Sequence, residues 1–299
     1  MNKFSIPLSN IATGLVGICL SLASLYVLEL KFEIFEQLKN LKQPNYLAII
    51  LFLTCYSIAL LIKPMRFSQH FEKTTYQDYR DGFYIGNLLN NILPFRLGDL
   101  LRIFLFSSIK KTKALLIIIF EKILDLSCLV VFLFLLILWK MEFELLEILA
   151  SFLIIFLCMA VFLQLALKSR LFSKILLVKQ WFLNIKILLI SFIAWIFEGS
   201  SYAVFLYVIE DLNPIIGFSF MPIAALSSLI PSAPGYIGVI NYAMTSWSSF
   251  LNLAESTYVY YSFLLVFLMW ITTCLIGTIF LIRSPKIAMI FFKTLYRKK

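Results

Sequence analysis

Six stretches of this chain are each long and apolar enough to cross a lipid bilayer as a helix: residues 8–29, 46–64, 113–139, 144–167, 184–208 and 259–282. A hydrocarbon core about 30 Å thick takes about 20 helical residues at 1.5 Å each. No water is at hand there for backbone N–H and C=O groups, so only helices or closed barrels can span it. Barrel strands are about 10 residues long and alternate in polarity, unlike these runs. The expectation is all-α: a polytopic bundle, with residues 1–299 forming one integral membrane domain. Composition agrees, since 62% of residues are hydrophobic and only 14% charged, against about 25% charged in soluble domains. The first run follows Lys3 as a signal peptide would. It lacks an A-x-A-like cleavage site and reads as a retained anchor.

Two further segments are apolar but broken. Residues 82–109 are interrupted at Leu93-Pro94-Phe95-Arg96-Leu97-Gly98, and residues 213–250 at Ile230-Pro231-Ser232-Ala233-Pro234-Gly235. Proline removes a helix hydrogen bond and glycine permits tight turns. Neither half of either segment is long enough to span, so both read as re-entrant helical hairpins. Positive charge orients the layout. With the N-terminus inside, the inner segments hold 21 of the 26 lysines and arginines, the outer ones four, and Lys122 lies within a span. That asymmetry is lost if either hairpin is counted as a crossing. The expected topology has six spans and both termini cytoplasmic. The first hairpin enters from the cytoplasm and the second from outside. Opposed hairpins with similar breaks are what an inverted repeat produces. Two unrelated Pro/Gly breaks would look the same.

Several function classes drop out. The net charge of +10 is dispersed among loops, with one tight cluster at Arg297-Lys298-Lys299, which suits topology rather than nucleic acid. Residues 31–43 have an interfacial amphipathic pattern, and the tail from Lys286 mixes aromatics with bases for an anionic leaflet. Cys19, Cys55, Cys128, Cys158 and Cys274 sit singly in apolar runs, and His70 is the one histidine. That leaves no metal-ligand cluster, no redox pair and no expected cofactor. No Walker A sequence or dinucleotide fingerprint occurs, and no serine or cysteine nucleophile has a histidine partner. The chain does not read as an enzyme.

The candidate site residues are polar groups set inside apolar surroundings. Glu121 and Asp125 share a helix face, about 12 and 18 Å into their span, and Glu198 lies about 21 Å into its own. A charge at mid-helix costs roughly 2.5–3.5 kcal/mol. Two readings remain open: paired carboxyls that lock helices, with Lys122 as one partner, or groups on a polar route. In the first hairpin, Asn87, Asn90 and Asn91 form a polar stripe. Arg96 sits at the break, and Asp99 and Arg102 are three apart and can pair. A helix starting near Gly98 would offer free N–H groups which, with both arginines, suit a phosphate. The arginines could instead serve only to pair with Asp99, Glu121 and Asp125. In the second hairpin, Pro234, Gly235 and Asn241 lie at a break rich in small residues and without lysine or arginine.

The string from Asn90 to Arg102, then Glu121-Lys122-Ile123-Leu124-Asp125, then Pro231 to Val239 resembles the transmembrane region of lysylphosphatidylglycerol synthase and its stand-alone flippase-like relatives. Lys63-Pro64-Met65-Arg66-Phe67 resembles the family's basic-aromatic segment after its second span. The likeness runs over roughly residues 8–285. Three positions depart from the pattern: Lys122 stands where the family commonly has Arg, Asn241 where it commonly has Glu, and Tyr236 where it often has Gly. No aminoacyl-transfer domain accompanies the membrane part here. The resemblance implies an inner (plasma) membrane protein that moves an anionic or polyprenyl-linked lipid between leaflets, or serves a cell-envelope lipid or glycan pathway. Its partners would be that lipid and a membrane glycosyltransferase. The alternatives are a membrane-embedded polyprenyl-phosphate enzyme and a non-transporting scaffold.

Overall fold

The computed structural model describes residues 19, 21–31, 45–93, 96–106, 108–140, 184–230 and 232–284. The described residues are helical and contain no strand. In chain order they form α1 (21–31), α2 (Tyr46–Ile62) running into a 3-10 turn (Lys63–Phe67), α3 (Lys73–Ile92) and α4 (Leu97–Leu105). There follow α5 (Lys111–Lys140), α6 (Ile185–Glu210), α7 (Pro214–Ser227), a 3-10 turn (Pro234–Tyr236), α8 (Val239–Phe250) and α9 (Glu255–Arg283).

Four of the six expected spans appear as helices of sufficient length and hydropathy: Tyr46–Phe67, Lys111–Trp139, Ile185–Glu210 and Glu255–Arg283. Of the first expected span only the helical residues 21–29 and Cys19 are described. The span over 144–167, the interfacial stretch after Lys31, and the basic tail lie outside the described residues. The helix starts are set by asparagine caps. Asn45 Oδ1 accepts from the Leu47 and Ala48 amides at 3.0 and 3.4 Å. Asn184 and Asn213 cap α6 and α7 in the same way, at 3.0 and 2.9 Å. Such caps satisfy N–H groups that have no partner within the helix.

α6 is the central helix: half of its spanning window is buried, against 28–33% for the other three. It packs along α2, where Phe52 meets Tyr202 and Phe205 edge-on at 5.8 and 6.0 Å. Phe220 of α7 stacks on Tyr258 of α9 at 5.3 Å and extends this core. A second cluster joins Phe67, Tyr79, Phe106 and Phe120 beside the first hairpin. The outer faces carry exposed Ile50, Leu61, Ile119, Leu275 and Ile282, side chains suited to hydrocarbon rather than water.

Both broken segments fold as helix–break–helix. α3 begins at Lys73, nine residues before the expected start, because a polar first half (Lys73–Asp81) precedes the apolar one. α3 and α4 cross where glycine is required: a Cβ on Gly98 would lie 2.1 Å from the Gly86 carbonyl oxygen. α7 carries Pro222 inside it and ends at Ser227, and α8 restarts at Val239. At that restart Gly238 has φ 92°, and a Cβ there would lie 2.5 Å from the Ser21 carbonyl of α1. The second break is thus pinned from outside by α1, whose Ser21 hydroxyl also accepts from the Ala233 amide at 2.8 Å.

Candidate functional site

Both hairpin breaks and the four spanning helices wall a cavity of about 180 Å³, in which polar groups stand among apolar ones. The turn after α2 brings Lys63, α3 its three asparagines, α5 Glu121, Lys122 and Asp125, and α6 Trp195 and Glu198. The second hairpin brings Ser228, Gly235 and Tyr236, and α9 brings Trp270. Nine of the twelve residues singled out from sequence line it: Asn87, Asn90, Asn91, Arg96, Arg102, Glu121, Asp125, Glu198 and Gly235. Asp99 stands just behind the lining, bonded to Lys122. Pro234 is exposed. Asn241 is fully buried and acts locally. Its Oδ1 accepts from the Gly238 amide at 2.9 Å and its amide donates to Ser262 at 3.0 Å.

The mid-span carboxylates are all paired, each to a cation from another element. Arg102 grips Glu121 with both terminal nitrogens, at 2.8 and 3.1 Å, and both side chains are at most 2% exposed. The Tyr79 hydroxyl donates to the same carboxylate. Arg66, with a fully buried side chain, meets Asp125 at 2.9 Å, and Trp195 Nε1 donates to the same oxygen at 3.2 Å. Lys63 meets Glu198 at 2.5 Å and lies 3.8 Å from the centre of the Trp195 ring. Lys122 pairs with Asp99 at 2.8 Å, and Arg102 stands 3.6 Å from the same carboxylate. Burying a charge costs several kcal/mol unless it is paired and hydrogen-bonded. These pairs meet that demand, and they join α2, α3, α4, α5 and α6 through polar contacts.

Lys63, Arg66 and Tyr79 were missed as site residues. The first two sit in the Lys63–Phe67 turn after α2, where lysine and arginine read naturally as topology charges. Pro64 tightens that turn, and Arg66 Nε donates to the Lys63 carbonyl at 2.7 Å. The turn thereby aims both cations back into the bundle. The signal in the sequence was the spacing of Lys63 and Arg66 at the end of an apolar run that faces three mid-span carboxyls.

One N–H of the anticipated cradle at the start of α4 is taken up internally. Asn90 Oδ1 accepts from the Asp99 amide at 3.0 Å, so this asparagine of the stripe caps α4 across the hairpin. Arg96 differs from its neighbours. It has φ 52°, and no carboxylate lies within ion-pair distance of it among the described residues. Its Nη2 donates to Ser228 Oγ at 2.6 Å, and its guanidinium lies 5.3 Å from the Tyr236 ring centre. Its Nε is buried without a hydrogen-bond partner among the described residues. Tyr236 also has positive φ, 59°. Left-handed backbone at two bulky residues costs roughly 1–2 kcal/mol each, and such strain concentrates at functional sites. Among the described residues, five cations (Lys63, Arg66, Arg96, Arg102, Lys122) thus stand among four carboxylates, and the unmatched one is Arg96.

The family profile described as the lysylphosphatidylglycerol synthase TM region matches residues 14–277. The chain belongs to this family. The match takes in both hairpins, the ion-paired carboxylates and the turn at Lys63–Phe67. No curated protein and no solved structure matches the chain. Membership makes the chain an integral membrane protein of a flippase-like family, in keeping with its four apolar helices.

Proposed function

We propose that this protein translocates a lipid with an anionic, phosphate-bearing head between the leaflets of the plasma membrane. The observation that carries the reading is Arg96: a cation without a carboxylate in ion-pair range among the described residues, lining a cavity within an apolar bundle, at the meeting point of both hairpin breaks. Arg96 is half-buried, but a buried N–H without a partner is costly, and a phosphate oxygen at its Nε edge would offset that cost by a charge-assisted hydrogen bond. The acyl or polyprenyl chains stay among the apolar outer faces while the head passes through the cavity. The hairpins are re-entrant, open toward opposite sides, and gate the two faces. Both termini are cytoplasmic, as the distribution of lysine and arginine favours. No covalent chemistry is involved.

The test is leaflet-resolved movement of headgroup-labelled lipids in proteoliposomes. Wild type moves an anionic lipid, Arg96→Ala moves it at least about tenfold more slowly, and Arg96→Lys falls between, since lysine keeps the charge but loses the planar fork. Undiminished movement by Arg96→Ala, with equal reconstitution, would refute the phosphate assignment. One observation favours a second reading, a scaffold for a membrane glycosyltransferase: the carboxylates are all engaged in holding helices together. Its sign is a chain that moves no lipid and still supports glycan assembly after neutral substitution of Glu121, Asp125 and Glu198.

A further inference from the structure

Resting on that phosphate reading, we infer that Tyr236 sets the size of the accepted head. The site takes a lipid whose head is an unelaborated phosphate and excludes one carrying a sugar, polyol ring or aminoacyl group. Four features lead there. The Tyr236 ring covers one face of the Arg96 guanidinium. Ser228 occupies the Nη2 corner, leaving the Nε edge as the place for a phosphate oxygen. The wall beside Tyr236 is fixed: Trp270 stands 3.0 Å from where a Gly235 Cβ would be, and its Nε1 donates to the Asn91 carbonyl at 3.3 Å. Finally, the cavity of about 180 Å³ is below the roughly 300 Å³ at which sites for larger small molecules begin.

The backbone at residue 236 is in the region glycine prefers, so Tyr236→Gly removes the ring without straining the turn. The space beside Arg96 then opens. Two lipid classes present a bare phosphate, phosphatidate and polyprenyl phosphate, and the inference covers the head they share.

The experiment measures binding to the purified full-length chain in detergent by titration calorimetry. Short-chain phosphatidylmethanol and phosphatidylinositol compare head size at equal charge. Dihexanoyl phosphatidate and farnesyl phosphate separate the two sources. The expected result is that wild type and Tyr236→Phe bind phosphatidylmethanol roughly tenfold or more tighter than phosphatidylinositol, a modest discrimination for pocket shape. Tyr236→Gly should bring the two within about threefold. Preference for phosphatidate or for farnesyl phosphate then names the source. Equal binding of both heads by wild type, abolished by Arg96→Ala, overturns the size filter and leaves the phosphate site standing. Binding indifferent to Arg96→Ala, or no binding of any of these heads, overturns both.

Discussion

The pair between Arg102 and Glu121 is the most deeply buried among the described residues, and its removal has a calculable cost. Glu121→Gln keeps the shape of the side chain and the acceptor for Tyr79, but leaves the guanidinium without its bidentate partner. Asp99, 3.6 Å away and already bonded to Lys122, compensates only in part. Breaking one side of a buried pair costs about 3–5 kcal/mol. At about 2 °C per kcal/mol for a chain of this size, the melting temperature should fall by roughly 6–10 °C. The double variant Arg102→Met/Glu121→Leu removes both charges and keeps an apolar stem against Phe83 and Phe106, the rings the guanidinium now faces at 4.9 and 5.5 Å. It should recover most of the loss, because apolar replacement of a whole buried pair is often neutral or stabilising. The assay is scanning fluorimetry in one detergent at one scan rate, with the monomer peak checked beforehand. A fall below about 1 °C for Glu121→Gln, or a double variant as unstable as the two single ones added, would refute the argument.

Gly98→Ala should prevent the first hairpin from closing, since its Cβ would lie 2.1 Å from a backbone oxygen that cannot move aside. Size-exclusion chromatography after extraction should show loss of the monodisperse species. His70, outside the spanning helices, is bonded to Asn184 at 3.1 Å, and burial pushes its imidazole below the usual value. The unfolded chain therefore binds the proton more readily than the folded one. Stability from this group is present above about pH 6.5 and falls as pH drops below it. Melting curves at pH 8, 6.5 and 5.5 should show that acid-side loss shrinking in His70→Gln, and an unchanged loss would exclude the group as its source.

Long apolar runs disclose helices because the bilayer imposes one length, and the four described spans agree with the residue ranges to within a few positions. The breaks were equally readable, since proline and glycine act locally. Partner choice was not. Glu121, Asp125 and Glu198 could be marked as expensive, but Arg66 and Lys63 reach Asp125 and Glu198 only because the Lys63–Phe67 turn reverses their direction, a feature of three-dimensional packing. Asn241 shows the opposite error. A buried asparagine at a break resembles a ligand group, and here it serves the local turn at Gly238 and bonds to Ser262. Arg96 was legible as a phosphate candidate from its position at the break. Its standing as the unmatched cation of the cavity, among the described residues, emerged only once their pairs could be drawn.

The pairs also have an order in time. Along the chain, Lys63, Arg66 and Arg102 precede Glu121 and Asp125, and Glu198 comes after its partner Lys63. Synthesis proceeds from the N-terminus, so Glu121, Asp125 and Glu198 leave the ribosome after the cations that meet them, whereas Asp99 precedes Lys122. α5 carries Glu121, Lys122 and Asp125 inside a run that is otherwise strongly apolar. It enters a bilayer where the turn after α2 and the arm of α4 already wait with opposite charge. The ion pairs that hold the finished bundle thus also carry an order along the chain, cation first for all three mid-span carboxylates.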